Sequence, residues 1–218
     1  MAAPAFYLRT PPALEPDSFA GRLAAVLDAP LEAGAVEAVL LCRASVPENE
    51  AAARAAIDRL RPIVQDRGVA FLLEDRPDLA ATTGCDGVES SAEGPGYRAC
   101  RKAVGDGASV GVVCGSSRHD AMVAGENGAD YIAFGPAHDD GEEALAEALG
   151  LIAWWAEMME LPSVALGPVD AATAPRYAAA GADFLALDRP VWDHPDGPAA
   201  GLAAIAAAVA RAEDAAGS

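Results

Sequence analysis

A short motif recurs along this chain and constrains its fold more than any other feature. Gly128-Ala129-Asp130-Tyr131-Ile132 has a near copy at Gly181-Ala182-Asp183-Phe184-Leu185, a looser copy at Gly84-Cys85-Asp86-Gly87-Val88, and a faint one that begins at Gly34. Each copy follows an alanine-rich amphipathic segment and opens an apolar one, so it marks the end of a helix and the start of a buried strand. Glycine suits this junction because the residue after a helix often takes a positive φ. The copies begin 50, 44 and 53 residues apart, a spacing of two βα units each, which predicts eight strands.

The predicted strands and helices alternate along the whole chain. Strands are predicted over residues 5–10, 36–43, 69–75, 87–91, 109–115, 131–135, 163–167 and 184–188. Helices are predicted over residues 17–29, 47–66, 77–83, 97–104, 119–127, 142–160, 173–180 and 199–216. The strands are continuous apolar runs, which is typical of strands covered on both faces. Eight such units with short loops favour a single α/β domain over residues 1–218, a (β/α)8 TIM barrel, with an open doubly wound sheet as the alternative.

Composition narrows the classes of function. The formal charge of −18 argues against binding to nucleic acid or to an anionic membrane, because phosphate groups attract basic surfaces. There is no signal-peptide pattern and no apolar run of bilayer length, so we expect a cytoplasmic protein. The four cysteines form no CxxC pair and are interpreted as reduced core thiols rather than metal or redox groups. They are Cys42, Cys85, Cys100 and Cys114.

Basic residues follow several of the predicted strands. In a (β/α)8 barrel the functional site lies at the carboxyl ends of the strands. Four of the 15 basic residues fall there in this acidic chain, namely Arg9, Arg43, Arg76 and Arg189. Guanidinium groups bind phosphate and carboxylate oxygens in bidentate geometry. These positions predict a small anionic, phosphorylated ligand, and chance clustering of charges at strand ends is the alternative.

Two glycines close the sixth and seventh predicted strands. At Gly135 and Gly167 a bare backbone can approach a ligand, although a tight turn explains either glycine equally well. Phosphate sites in barrels often use the loops after strands seven and eight. Gly167 and Arg189 are therefore the predicted phosphate-binding pair.

Acidic residues at neighbouring strand ends form a second candidate group. Glu74, Asp75 and Glu93 could supply carboxylate oxygens to Mg²⁺, a hard ion that prefers oxygen ligands. Adjacent residues of a strand point to opposite faces, so only one of Glu74 and Asp75 can readily face the barrel axis. A salt bridge from Asp75 to Arg43 or Arg76 is the alternative.

A histidine and a pair of tryptophans complete the candidates. His138 follows Gly135-Pro136 and is the best candidate for acid–base work, because imidazole titrates near neutral pH; a solvated loop histidine is the alternative. Trp154 and Trp155 are interpreted as core residues or as contacts in a homo-oligomer. With Met158 and Met159 they could also form an apolar patch for a partner protein.

The order of these motifs resembles the family of thiamine phosphate synthase and thiazole tautomerase, whose members are (β/α)8 barrels. The resemblance runs from Tyr7 to about Val191 and is carried most specifically by the run G-A-D-Y-I-A-F-G-P that begins at Gly128. It implies a transferase of thiamine biosynthesis that joins a pyrimidine diphosphate to a thiazole phosphate, with Mg²⁺ holding the departing diphosphate. By this resemblance Arg43 matches the arginine of the second strand, Asp75 the metal-binding aspartate and Gly167 the first glycine of the phosphate loop.

Several substrate-contacting positions depart from the family pattern. Glu74 stands in place of an asparagine, Cys114 in place of a serine, and Gly94 in place of the second metal-binding aspartate, with Glu93 beside it. Further replacements are Leu41 for glutamine, Ser45 for lysine, Ser116 for histidine, an acidic segment at 140–143 for T-x-T-K, and Pro168 in the phosphate loop. These departures indicate a divergent member of the family.

The resulting hypothesis is a divergent enzyme with a defined set of residues. Its catalytic residues would be Arg43, Glu74, Cys114 and His138, its substrate and phosphate ligands Arg9, Arg76, Gly135, Gly167 and Arg189, and its metal ligands Asp75 and Glu93. Two alternatives stay open. One is a barrel enzyme for another small phosphorylated or carboxylated metabolite, and the other is a non-catalytic binding protein.

Overall fold

Eight parallel strands close into a barrel in the computed structural model, which describes residues 3–42, 46, 48–135 and 141–216. Each strand pairs in parallel with the next along the chain, and the last pairs with the first, which confirms the predicted (β/α)8 barrel. The strands are β1 (Ala5–Arg9), β2 (Val36–Leu41), β3 (Ala70–Glu74), β4 (Gly87–Ser90), β5 (Ser109–Gly115), β6 (Tyr131–Phe134), β7 (Ser163–Ala165) and β8 (Phe184–Leu187).

Helices follow the strands around the outside of the barrel. They are α1 (Pro16–Leu27), α2 (Glu50–Gln65), α3 (Pro77–Thr83), α4 (Tyr97–Val104), α5 (Arg118–Glu126), α6 (Glu142–Met158), α7 (Ala174–Ala180), α8 (Arg189–Trp192) and α9 (Pro198–Ala216). The short α8 was not predicted; Asp188 caps it by accepting a hydrogen bond from the backbone N–H of Arg189. Within the described ranges, no helix combines the length and apolar composition needed to span a bilayer.

The strands are apolar on both faces because each face has its own core. Side chains such as Phe6, Leu8, Phe71 and Phe134 pack outward in a large cluster against the helices. Alternate residues of the same strands point inward, as the period of two requires. The inward cluster contains Tyr7, Ala38, Leu40, Cys42, Leu72, Tyr131, Ala133, Val164, Leu166 and Ala186.

The aspartate of the recurring motif ties neighbouring strands together. Asp86, which precedes β4, accepts a hydrogen bond at 2.7 Å from the backbone N–H of Phe71 in β3. Asp130 accepts one from Val110 at 2.7 Å, and Asp183 accepts one from Ser163 at 2.8 Å. Three of the four copies of the motif therefore join the start of one strand to the strand before it.

Candidate functional site

An open depression of about 510 Å³ lies at the carboxyl ends of β3 and β4. The loops that follow these strands form its walls. Its lining residues are Asp75, Arg76, Pro77, Asp78, Glu93, Gly94 and Pro95. Both predicted metal ligands, Asp75 and Glu93, and the predicted phosphate ligand Arg76 therefore line the same depression.

Asp75 occupies an unusual backbone conformation in this depression. Its φ is 54°, and it is the one non-glycine residue with positive φ among the described residues. Its carboxylate accepts hydrogen bonds from the backbone N–H of Ser91 at 2.8 Å and from the Ser91 hydroxyl at 2.6 Å. Its own N–H donates to the carbonyl of Glu89. Such a backbone conformation costs about 1–3 kcal/mol and clusters at functional sites, so Asp75 is a candidate functional residue.

Gly94 allows the loop after β4 to close over Asp75. A Cβ atom at Gly94 would lie 2.0 Å from Oδ1 of Asp75, so any side chain there would collide with the carboxylate. The backbone therefore leaves no room for an acid at position 94, and the acid beside it, Glu93, is exposed and lines the same depression.

Asp75 and Glu93 both line the depression and carry carboxylate oxygens, the ligand type that Mg²⁺ prefers. Mg²⁺ is commonly bound by one or two carboxylates, with water and substrate phosphate oxygens completing its shell. In the part of the chain that the structure describes, no three potential metal-ligating side chains gather. An ion here would therefore take most of its ligands from water and from the phosphate groups of a substrate.

Arg76 faces the depression but is paired with an acid. Its Nε and Nη2 donate to the two carboxylate oxygens of Asp78 at 3.0 and 2.9 Å. The hydrogen bonds from Arg76 lower the pKa of Asp78, and those to Asp78 raise the pKa of Arg76. A phosphate that binds Arg76 would have to compete with Asp78 or share the guanidinium with it.

Arg9 and Glu74 lie at the top of the barrel interior and contact each other. Nη2 of Arg9 donates to Oε1 of Glu74 at 3.0 Å, and their side chains are 23% and 14% exposed. Arg9 was predicted to bind phosphate, and Glu74 was predicted to be a catalytic residue. The structure places them in one ion pair that covers the interior.

Glu89 lies in the barrel interior and was not among the predicted site residues. Its side chain is fully buried. Oε2 is 3.0 Å from the hydroxyl of Tyr7 and 3.2 Å from that of Tyr131, and the two hydroxyls are 2.9 Å apart. Burial raises the pKa of Glu89 and places the pKa of both tyrosines well above the usual phenol value. The available signal was an acid inside a strand that was predicted to be buried on both faces.

Cys114 is placed away from the barrel mouth. Its side chain belongs to the cluster between the barrel and the helices, and its thiol lies 3.6 Å from the carbonyl of Val112. Burial raises its pKa to about 12. Because the thiolate is the reactive form of cysteine, the expected catalytic role does not agree with this placement, and the interpretation as a core thiol does.

Gly135, Gly167 and Arg189 sit at the ends of β6, β7 and β8. A Cβ atom at Gly135, where φ is 130°, would lie 2.2 Å from the carbonyl oxygen of Leu166, so packing against the next segment requires glycine. Arg189 begins α8; its side chain is 82% exposed and lies 3.6 Å from Asp193. The Arg189 guanidinium faces Asp193, and its pairing with Gly167 at a phosphate site stays a prediction.

Three of the four arginines predicted at the strand ends fall within the described residues, and each of them has an acidic partner. Arg9, Arg76 and Arg189 each face a carboxylate, and they lie in the interior, in the depression and on α8 respectively. The helical turn that starts at residue 189 carries Arg189 off the strand end. Arg43 and His138 lie outside the described residues.

The two tryptophans have different surroundings. Trp155 is buried and donates from Nε1 to the carbonyl of Leu161. Trp154 is half-buried, with the guanidinium carbon of Arg118 4.6 Å from its ring centroid. Met158 is 63% exposed. The apolar patch considered for a partner protein therefore lacks Trp155, because this side chain belongs to the core.

The fold and the polar depression at the carboxyl ends of its strands define a (β/α)8-barrel protein with an open depression at its mouth. The family profile described as Thiamine monophosphate synthase matches residues 6–191, and the chain belongs to that family. It is 52% identical over 199 residues to a protein named thiamine-phosphate synthase from Rhodospirillum centenum, covering 90% of this chain and 93% of that protein.

Two further comparisons agree with this membership. A thiamine-phosphate synthase from Hyphomonas neptunium is 39% identical over 145 residues, or 66% of each chain. The solved structure of a thiamine phosphate pyrophosphorylase from Pyrococcus furiosus superposes with a TM-score of 0.76, covering 95% of this chain and 96% of that one. Its sequence identity is 20%, so the superposition supports the fold alone.

Proposed function

We propose that this protein is a thiamine-phosphate synthase, a cytoplasmic transferase that joins a pyrimidine diphosphate to a thiazole phosphate. The observation that carries the proposal is the carboxylate of Asp75. It is held at a strained backbone position by two hydrogen bonds from Ser91, in a depression that also presents Arg76 and Glu93. The 52% identity to a protein of that name supports the same reaction.

Asp75 and Glu93 would hold Mg²⁺ in this depression. When bound, the ion supplies charge neutralisation to the diphosphate as it departs. Arg76 adds a guanidinium on the same wall, where it can donate two hydrogen bonds to phosphate oxygens once Asp78 releases it. The hydrogen bonds from Ser91 fix the orientation of the Asp75 carboxylate before the substrate binds, so the carboxylate does not have to reorganise during the reaction.

The residues beyond the depression have supporting roles in this proposal. Arg43 follows β2 and His138 follows β6 in the sequence. We assign Arg43 to phosphate contact and His138 to proton transfer. Gly135, Gly167 and Arg189 would contact the phosphate of the second substrate, with Arg189 turning away from Asp193.

A second candidate function is a reaction on another small phosphorylated metabolite. The pairing of Arg76 with Asp78 favours it, because Asp78 adds negative charge where a reaction between two phosphorylated substrates needs positive charge. In this second candidate, the protein has the same barrel and depression but acts on a different substrate.

The two functions are separated by a direct assay. Purified protein is supplied with the pyrimidine diphosphate, the thiazole phosphate and Mg²⁺, and thiamine phosphate is measured by chromatography. The proposal predicts product in wild-type protein, dependence on Mg²⁺, and loss of product in Asp75→Asn. No product from wild-type protein rejects the synthase assignment. Thermal stabilisation by a different phosphorylated metabolite would then support the second candidate.

A further inference from the structure

A second cavity, of about 200 Å³, lies at the amino-terminal end of the barrel. Most of its lining residues are the first or second residues of their strands, and among them are Glu37 in β2, Ala70 in β3, Tyr131 in β6, Val164 in β7 and Phe184 in β8. The depression described above is lined by residues that follow β3 and β4. The two spaces share no residue and lie at opposite ends of the barrel.

Small side chains on two neighbouring strands leave room for this cavity. Ala38 and Ala70 are register partners in β2 and β3, and each contributes a methyl group to the lining. Barrel interiors are usually filled by bulky branched side chains, so two alanines side by side leave space unfilled. Larger side chains complete the lining, namely Leu72, Tyr131 and Phe184. The hydroxyl of Tyr131 is bonded within the interior, so this residue offers mainly ring carbon atoms to the cavity.

A β-bulge brings Glu37 to the rim of the cavity. The pairing of β1 with β2 passes from Phe6–Val36 to Tyr7–Ala38. Glu37 is therefore the extra residue of β2. In a regular strand Val36 and Ala38 would share one face, but Val36 packs against the outer cluster and Ala38 belongs to the inward one. The bulge separates them and leaves Glu37 among the residues that line the cavity.

The carboxylate of Glu37 is not neutralised by the protein. Its side chain is exposed, and no described residue forms a salt bridge with it. Asp183, which directly precedes Phe184, accepts hydrogen bonds from the backbone N–H and the hydroxyl of Ser163 and likewise has no described cationic partner. In a chain with a formal charge of −18, unpaired acids at this end attract cations and repel anions.

We propose that this cavity binds a small aromatic cation, a compound of one ring that carries a protonated amino group. The ring lies over Ala38 and Ala70 and against Tyr131 and Phe184, and the cationic group lies at the rim beside Glu37. A cavity of about 150 Å³ with apolar walls accommodates benzene, so about 200 Å³ accommodates a ring with a short substituent. The aromatic walls also attract a cation through their ring electrons. This site is separate from the proposed synthase reaction, which takes place at the other end of the barrel.

A matched pair of probes tests the charge of the ligand. Calorimetry at neutral pH compares benzylamine, which is protonated, with benzyl alcohol, which has nearly the same shape and no charge. Wild-type protein is expected to bind benzylamine at least about five-fold more tightly, because the ion pair and the contact with the aromatic rings act on the cation alone. Equal binding of the two compounds, or binding of neither, overturns the proposal.

Substitution of Glu37 tests its role in recognition. Glu37→Gln keeps the size of the side chain and removes its charge, so the preference for benzylamine is expected to vanish while benzyl alcohol binds as before. Glu126→Gln makes the same change on an exposed residue of α5 that does not line the cavity, and it is the control. A preference that survives in Glu37→Gln, or that is lost equally in both variants, contradicts the assignment.

Filling the cavity tests the location of the ring. Ala70→Leu adds a branched side chain to the lining, so both compounds are expected to bind at least about ten-fold more weakly. Circular dichroism establishes that the variant is folded, and Ala70→Val is the smaller change to use if it is not. A folded variant that binds both compounds as tightly as wild-type protein does shows that the ring lies elsewhere and overturns the proposal.

Competition separates this cavity from the depression at the mouth. Saturation with pyrophosphate and Mg²⁺ is expected to leave the affinity for benzylamine unchanged, because the two sites share no residue. Loss of benzylamine binding under these conditions would place the amine at the mouth and contradict the proposal. Neither probe is a substrate of the synthase reaction, so failure to form thiamine phosphate would reject the proposed function and leave this site standing.

Discussion

Ser91 donates two hydrogen bonds to the carboxylate of Asp75, at 2.8 Å from its backbone N–H and 2.6 Å from its hydroxyl. The two residues belong to loops that follow neighbouring strands, so this contact fixes the position of the depression's acid relative to its opposite wall. Because Asp75 has a φ of 54°, the contact also offsets part of a backbone strain.

Ser91→Ala removes the hydroxyl contact and leaves the backbone contact. We expect kcat/KM for thiamine phosphate formation to fall at least about ten-fold, since a charge-assisted hydrogen bond contributes about 1.5–3 kcal/mol. The Mg²⁺ concentration needed for half-maximal rate should rise. Ser109→Ala, at the opposite end of the barrel, is the matched control. Equal rates in the two variants would show that Ser91 does not position Asp75.

Gly94 provides a test of the close approach between the two loops. A Cβ atom there would lie 2.0 Å from Oδ1 of Asp75, whereas one at Gly107 would meet nothing within 4 Å. We expect Gly94→Ala to lower the free energy of unfolding by about 1–3 kcal/mol through overpacking and to reduce the rate. Gly107→Ala should leave both within error. Urea unfolding and the synthase assay measure the two effects, and an unaffected Gly94→Ala would mean that the loops are further apart in solution.

Glu89 is expected to make the stability of the protein depend on pH. Burial raises its pKa in the folded protein, against the opposing effects of Arg9 and the tyrosine hydroxyls, while the unfolded chain keeps an ordinary value of about 4.3. As the pH rises above that value, the unfolded state releases the proton and the folded state keeps it, so unfolding becomes more favourable. Stability is therefore lost with rising pH until the folded pKa is reached.

The measurement compares wild-type protein with Glu89→Gln, which has no proton to release. Urea unfolding at about pH 5 and about pH 8 should show that wild-type protein loses more stability than the variant over this interval. Other titrating groups are common to both proteins and cancel in the difference. If the two proteins respond to pH equally, burial does not keep Glu89 protonated in the folded protein.

The barrel could be predicted from the sequence because its strands are apolar on both faces, one facing the helices and one facing the barrel interior. Continuous apolar runs and the recurring Gly-x-Asp junction placed all eight strands, although the stitch from Asp86 to the backbone of Phe71 became visible only in the structure. The short helix α8 was not predicted because an aspartate such as Asp188 can end a strand as readily as it caps a helix.

The site was predicted less completely, because a position in the sequence does not determine what a side chain contacts. Asp75, Arg76 and Glu93 meet in one depression as their strand-end positions indicated. Arg9 and Arg189 have the same kind of position, yet they face Glu74 and Asp193. Glu89 was overlooked because its importance comes from burial among tyrosines of β1 and β6, far away along the chain.

Asp78 decides how much of Arg76 is available to a phosphate. Its two hydrogen bonds to the guanidinium occupy donors that phosphate oxygens would use. Asp78→Asn removes the competing charge, so we expect pyrophosphate with Mg²⁺ to bind a few-fold more tightly, a gain of about 1 kcal/mol for a pair whose acid is 63% exposed. Asp193→Asn makes the same change beside Arg189 and is the control. Calorimetry that finds tighter binding only in Asp78→Asn places the diphosphate in the depression, whereas tighter binding only in Asp193→Asn places it at the end of β8.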